Sequence, residues 1–255
     1  MIASIIFLVL GVVSIVLFLF ERVKNYSVKG TAIKSLASVF FIAIAVSGWF
    51  NSFKSGNISL FGGFIILGLL FGLLGDIYLE LKCVYPKEDK IFTYLGFIVF
   101  GIGHVLYITG MNLEYYIPGN IIYIIIPIVL AIIFTIGVLL LEKPMKVRYG
   151  NFKIIVVLYS FILSLMMATA GSLAIMHSFN NMTLNLMFIG GIFFVVSDLI
   201  LSGTYFGEGK ERPVDLISNI AVYYIAQYVI AFSVLFFTPE VVFSAFQLFT
   251  FTKTE

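Results

Sequence analysis

One cysteine and two histidines in 255 residues, with charge on only 11% of them, remove several classes of protein at once. A lone cysteine, Cys83, forms no intramolecular disulfide and builds no cysteine-based metal site. A zinc hydrolase would need about three nitrogen, sulfur or carboxylate ligands on facing helices. Of the two histidines, His177 falls in the short loop "HSFNNM", which leaves His104 alone inside an apolar run. Soluble domains carry about 25% charged residues, so 11% charged beside 61% hydrophobic excludes an ordinary soluble domain. Of six prolines only Pro127 lies inside an apolar run, and interrupted helices at matching positions, which discontinuous transporter spans use, are missing. No Lys or Arg precedes the first run, while Arg22 and Lys24 follow it. That order is the reverse of a cleavable signal peptide, so the run is read as a retained first span.

What the chain does have is eight long apolar runs, near 2–20, 32–50, 58–81, 91–111, 121–141, 154–176, 183–203 and 216–237. A helix needs about 20 such residues to cross a hydrocarbon core of about 30 Å. Every backbone polar group inside lipid must be satisfied within the segment or in a closed barrel, and runs of this length exclude barrel strands. The expected fold is all-α, a polytopic membrane helical bundle of eight transmembrane helices in one transmembrane domain, residues 1–255. The net charge of +2 decides little, but its distribution is ordered. Arg22, Lys24, Lys29 and Lys34 fall in the first loop, Lys82, Lys87 and Lys90 in the third, Lys143, Lys146, Arg148 and Lys153 in the fifth, and Lys210 and Arg212 in the seventh. Cytoplasmic loops collect Lys and Arg, which puts the odd loops, Cys83 among them, in the cytosol and both termini outside it. A cell membrane is the expected location. The tail after Pro239, "EVVFSAFQLFTFTKTE", is short and mixed, and is expected at the outer interface or against the bundle.

Superposing the two halves at an offset of 122 residues brings Gly68 onto Gly190, Phe71 onto Phe193, Asp76 onto Asp198 and Leu79 onto Leu201. The paired segments cross in the same direction, which hints at a 4+4 parallel repeat.

Inside the runs the ionisable groups are Asp76, Glu80, His104 and Asp198, with Lys34 near an entrance. An aspartate at a helix centre costs about 2.5–3.5 kcal/mol to insert, so it should face the bundle interior or a wet cavity, with function as the default reading. A structural reading, bridging neighbouring helices, stays open beside it. At a rise of about 1.5 Å per residue, Asp76 lies about 9 Å inside Lys82, and Asp198 comes to a similar depth. The same ruler puts Tyr223 and Tyr224 about 12 Å from Asp215, Gln227 about 18 Å, and His104 about 21 Å from Lys90. Gln227 shares a helical face with either tyrosine, as His104 does with Tyr107. These groups are expected around one cavity open to the cytosolic side, although for the tyrosines plain helix packing is an equal reading. Glu80, one turn from Asp76, is read as a side chain able to snorkel to the boundary.

The segments "GLLFGLLGDIYL", "GIGHVLYI", "GGIFFVVSDLIL" and "YYIAQYVI", in that order over eight spans, resemble the YhhN-like family of multi-pass membrane proteins, which includes the lysoplasmalogenases. The likeness covers nearly the whole chain. It implies hydrolysis of the vinyl ether bond of lysoplasmalogens to a fatty aldehyde and a glycerophospho-headgroup. By the same resemblance Asp76, His104, Tyr107, Asp198, Tyr223, Tyr224 and Gln227 are the site positions. Where the family tends to have Lys-Pro-Leu at the start of the second span, this chain has Lys34, Ser35 and Leu36, keeping the lysine without the proline.

The residue chemistry suits that reaction. Cleaving a vinyl ether begins with protonation of its β-carbon to an oxocarbenium ion, so the slow step needs a positioned acid. Two carboxylates in a poorly solvated layer, Asp76 and Asp198, can divide the work, one donating the proton and one staying ionised. Glycosidases set an acid and an anion across an oxocarbenium-like transition state in the same way. His104, Tyr107, Tyr223, Tyr224, Gln227 and Lys34 are the expected substrate-binding residues, Lys34 and its neighbour Lys29 meeting the phosphate. No metal and no other cofactor is required, and the expected partners are a lysophospholipid substrate and membrane lipid, with no nucleic acid. Two rivals remain. One is a zinc site made from His104, Asp76 and Asp198; the other is a transporter using Asp76 and Asp198 as a proton or cation relay.

Overall fold

Residues 2–24, 26–54, 59–207 and 212–237 are described by the structure, a computed structural model; the tail after Pro239 lies outside them. Their helices are α1 (Ile2–Lys24), α2 (Val28–Lys54), α3 (Leu60–Val84), α4 (Asp89–Tyr115), α5 (Ile122–Leu141), α6 (Lys153–Met176), α7 (Met182–Phe206) and α8 (Pro213–Ser233). All eight are long and apolar enough to cross a membrane. Among the described residues no strand forms, and a single antiparallel bridge, Val147 to Gly207, ties the α5–α6 connection to the end of α7.

Several helices continue past the apolar runs that announce them. Arg22 and Lys24 belong to the last turn of α1, and Lys29 and Lys34 lie on α2, although the charge count places all four in the first loop. Hydropathy ends a span where charge begins, but a long basic side chain stays helical when its stem is buried or its head is paired.

In packing, successive helices pair along the chain, except that α4 rests on α3 and α6, and α2 also meets α8. Exchanging the first four helices for the last four maps the α2–α8 contact onto the α6–α4 contact. The offset of 122 residues holds at finer scale. Ser59 caps the N-terminus of α3 by accepting from the Gly62 amide, and Asn181, its counterpart, caps α7 by accepting from Leu184. Gly68 and Gly190 also act alike. A Cβ on Gly68 would stand 2.9 Å from the Gly103 carbonyl oxygen and 2.6 Å from Tyr107 Cδ1 of α4; one on Gly190 would stand 3.3 Å from the Ala226 carbonyl oxygen and 2.6 Å from Ile230 Cγ1 of α8. At both crossings the missing side chain lets two backbones close in, as small residues do between membrane helices.

Helices α1 and α5, equivalent under the repeat, are peripheral. Only Pro127, Ala131 and Thr135 of α5 are buried, a stripe at four-residue spacing, and α1 buries Ser4, Gly11, Ser14, Phe18 and Arg22. Helical periodicity therefore sets Arg22 on the same inner face as Phe18. That placement matters below.

Candidate active site

Helix α3 turns one face inward, with Gly68, Gly72, Gly75, Asp76, Leu79 and Glu80 all buried on it. Asp76 is 2% exposed, and each of its oxygens is engaged. Lys34 Nζ of α2 is 3.3 Å from Oδ1. Ser38, one helical turn along α2, donates to Oδ2 at 2.6 Å, and Tyr223 of α8 donates to the same oxygen at 2.8 Å. Gln227 in turn donates from Nε2 to the Tyr223 hydroxyl at 2.9 Å, as the four-residue spacing on α8 allows. Tyr224 does not touch Asp76 directly: its hydroxyl donates to the Lys34 carbonyl at 3.0 Å and lies 3.3 Å from Ser38 Oγ. An ammonium and two hydroxyl donors are the surroundings of an anion.

Asp198 of α7 has different neighbours. Tyr159 of α6 donates to its Oδ2 at 2.5 Å. No cation pairs with it among the described residues, and its side chain is partly accessible. His104 reaches Asp198 only through that tyrosine, with Nε2 3.5 Å from the Tyr159 hydroxyl. The imidazole is buried edge-on against Phe194 at 4.6 Å, with Tyr107 at 5.8 Å on another side.

Both aspartates line one cavity of about 430 Å³. It begins among the ends of α1, α3, α4 and α8, at Arg22, Lys82, Asp89 and the exposed Arg212, and runs inward past Lys34 and Glu80 to Asp76, Asp198, Tyr159 and Tyr223. Its inner end is closed by aromatic rings. Phe100, Phe194 and Tyr223 meet edge to face with centroids 5.5 to 6.0 Å apart. His104, Tyr107, Tyr224 and Gln227 lie behind or beside that floor and not on the lining. Depth counting along single helices put them at the cavity because it measures height only; which side of the wall a residue takes is set by helix rotation.

Glu80 does not snorkel. It is 6% exposed, and its oxygens pair with Lys34 Nζ at 3.2 Å and Arg22 Nε at 3.7 Å. Lys34, expected to meet phosphate, thus stands between two carboxylates. Three residues that the sequence did not single out complete the site. Tyr159 and Ser38 gave no signal, since a tyrosine and a serine in apolar helices are ordinary packing residues. Arg22 gave one that pointed elsewhere, to a loop.

A second, apolar groove of about 330 Å³ opens between α4 and α6, lined by Ile98, Gly101, Val105, Leu158 and Ile162 among others, and shares Phe97 and Tyr159 with the cavity. No three of His, Cys, Asp and Glu converge on a metal-binding arrangement among the described residues.

Eight apolar helices around a basic-mouthed cavity lined by two aspartates define a polytopic α-helical membrane protein. The chain belongs to the YhhN family, whose signature matches residues 29–234. No curated protein and no solved structure matches it.

Proposed function

We propose that this protein is a membrane hydrolase that cleaves the vinyl ether bond of lysoplasmalogens, with Asp198 as the acid and Asp76 as the anion. The observation that carries this reading is the asymmetry of the two carboxylates on one cavity: among the described residues Asp76 is held by an ammonium and two hydroxyls, Asp198 by one hydroxyl and no cation. Membership of a family that includes lysoplasmalogenases supports it.

The chemistry follows from that division. Asp198 gives its proton to the β-carbon of the vinyl ether, and the electron pair of the double bond forms the new C–H bond, leaving an oxocarbenium ion. Asp76, paired with Lys34, is the anion that stabilises the cation and orients the incoming water. Water adds to the α-carbon, and the proton it loses restores the acid of Asp198. In the resulting hemiacetal the hydroxyl proton passes to the ether oxygen as the C–O bond breaks, which releases aldehyde and the glycerophospho alcohol. Tyr159 fixes the Asp198 oxygen that is not donating, and His104 fixes Tyr159. Because aromatic rings close the inner end, the alkenyl chain leaves sideways past Phe97 and Tyr159 into the α4–α6 groove.

Purified protein in detergent is given a lysoplasmalogen and its matched alkyl ether. Aldehyde is expected from the vinyl ether alone, with no loss of rate after prolonged chelation. Aldehyde from neither lipid returns the transporter reading, and activity that chelators remove and zinc restores makes the carboxylates and His104 ligands.

The orientation is part of the proposal. The odd-loop charges put the cavity mouth on the cytosolic side and both termini on the other. Cys83, which lines the mouth and is half-buried, should then react with a thiol reagent only when the cytosolic face is exposed. Labelling from outside intact cells by an impermeant reagent inverts the bundle.

A further inference from the structure

Glu80 draws the head of Arg22 inward, but that contact leaves most of its donors unused. Arg22 is 8% exposed, yet its Nη1 makes no hydrogen bond among the described residues, and its Nε meets Glu80 only as an ion pair at 3.7 Å. Nη2 donates to a weak acceptor, Cys83 Sγ, at 3.5 Å, and the guanidinium lies 3.3 Å from the centroid of Tyr26. A buried charged donor without an acceptor is costly, and a planar, delocalised cation stacked on a ring keeps its N–H edge free for a planar or tetrahedral oxyanion. Arg22 is one of the residues that line the cavity.

Lys82, one residue before Cys83, lines the same mouth. Its ammonium lies 3.4 Å from the centroid of Tyr205 and forms no ion pair with a described carboxylate. The other basic groups at the mouth are already occupied, Lys34 by Asp76 and Glu80, and Arg212 by Asp215 through bonds of 2.8 and 3.0 Å. Of the mouth carboxylates, Glu80 is shared between Lys34 through Oε1 and Arg22 through Oε2, and Asp89 is the other opposing charge.

We infer that Arg22 and Lys82 form a phosphate subsite at the mouth of the cavity, which takes the phosphodiester of a lysophospholipid whose ether bond lies at the aspartates. The lipid half of this statement rests on the proposed hydrolysis; the phosphate half does not. Six helical residues separate Asp76 from Lys82, about 9 Å along α3, a span that the glycerol backbone of such a lipid and the flexible Lys82 side chain cover together.

Binding to the full chain in detergent micelles tests it with three probes. A 1-O-alkyl lysophosphoethanolamine carries the phosphate without the scissile bond, the matching 1-O-alkylglycerol lacks the phosphate, and inorganic phosphate serves as competitor. Wild type should bind the phosphate-bearing probe about tenfold or more tightly than the alkylglycerol. Arg22→Gln should bring that ratio close to one, Arg22→Lys should keep part of it, and Lys82→Gln should lower it. Lys82 forms no ion pair among the described residues, so its variant reports on binding where Arg22→Gln destabilises the fold. Displacement of the probe by inorganic phosphate shows a subsite that also takes free phosphate, and absence of displacement confines it to lipid-borne phosphate. A wild-type ratio of one, or a ratio unchanged in both glutamine variants, overturns the subsite. None of the probes has a vinyl ether. A protein that cleaves no vinyl ether yet shows the ratio keeps the subsite and loses the reaction, and one that cleaves without the ratio does the reverse.

Discussion

Asp198→Asn should lower vinyl ether cleavage by about a thousandfold while leaving the melting temperature near wild type, within the range of about 10² to 10⁴ that general acid catalysis contributes. The amide oxygen can still accept from the Tyr159 hydroxyl that now bonds Asp198 Oδ2, so the local fold loses nothing, but no acidic proton remains to give. Asp76→Asn should behave differently. Its amide oxygen can keep Ser38 and Tyr223, but an amide nitrogen or neutral oxygen then faces Lys34 Nζ at 3.3 Å. That variant should lose activity and also about 1–3 kcal/mol of stability, the usual cost of a broken charged hydrogen bond in a buried site. Parallel turnover and melting measurements on the two variants separate the roles. Near wild-type turnover in both would end the two-carboxylate mechanism, and stability losses reversed between them would exchange acid and anion.

The second large effect concerns Lys34. Removing it as Lys34→Met leaves Asp76 without a cation and Glu80 with only Arg22 at 3.7 Å, two carboxylates on one buried helix face. Breaking a buried pair from one side costs about 3–5 kcal/mol, because the remaining charge has no compensation. A strongly lowered melting temperature is therefore expected, with kcat falling as Asp76 loses its counter-ion. Adding Glu80→Gln to Lys34→Met should recover part of the loss, since one of the two stranded charges is then neutral. The phosphate role read from sequence makes the opposite prediction: an intact fold with KM raised more than kcat is lowered. Kinetics and thermal melting on the single and double variants decide between a counter-ion and a headgroup ligand.

The sequence by itself determined the helices, their number and the two aspartates. Eight runs of sufficient length in a chain so poor in charge have no alternative to membrane helices. Asp76 and Asp198 stood out because a carboxylate in an apolar run is expensive wherever the helix turns, so no structure is needed to see it.

Tertiary structure decided which side of each helix faces the site. A membrane helix is apolar nearly all round, so its pattern does not fix its rotation as an amphipathic pattern does in water. Rotation is set by where neighbours approach closely, as α4 does at Gly68 and α8 at Gly190. That is why Tyr159, one of fourteen tyrosines, becomes the hydrogen-bond donor of Asp198, while Tyr107 and Gln227 stay behind the wall. Packing also decides where the basic residues on either side of the first loop lie. Composition assigns Arg22 and Lys34 to a basic loop, whereas a buried carboxylate on α3, Glu80, draws both heads inward, because an unpaired charge in lipid costs more than helix ordering.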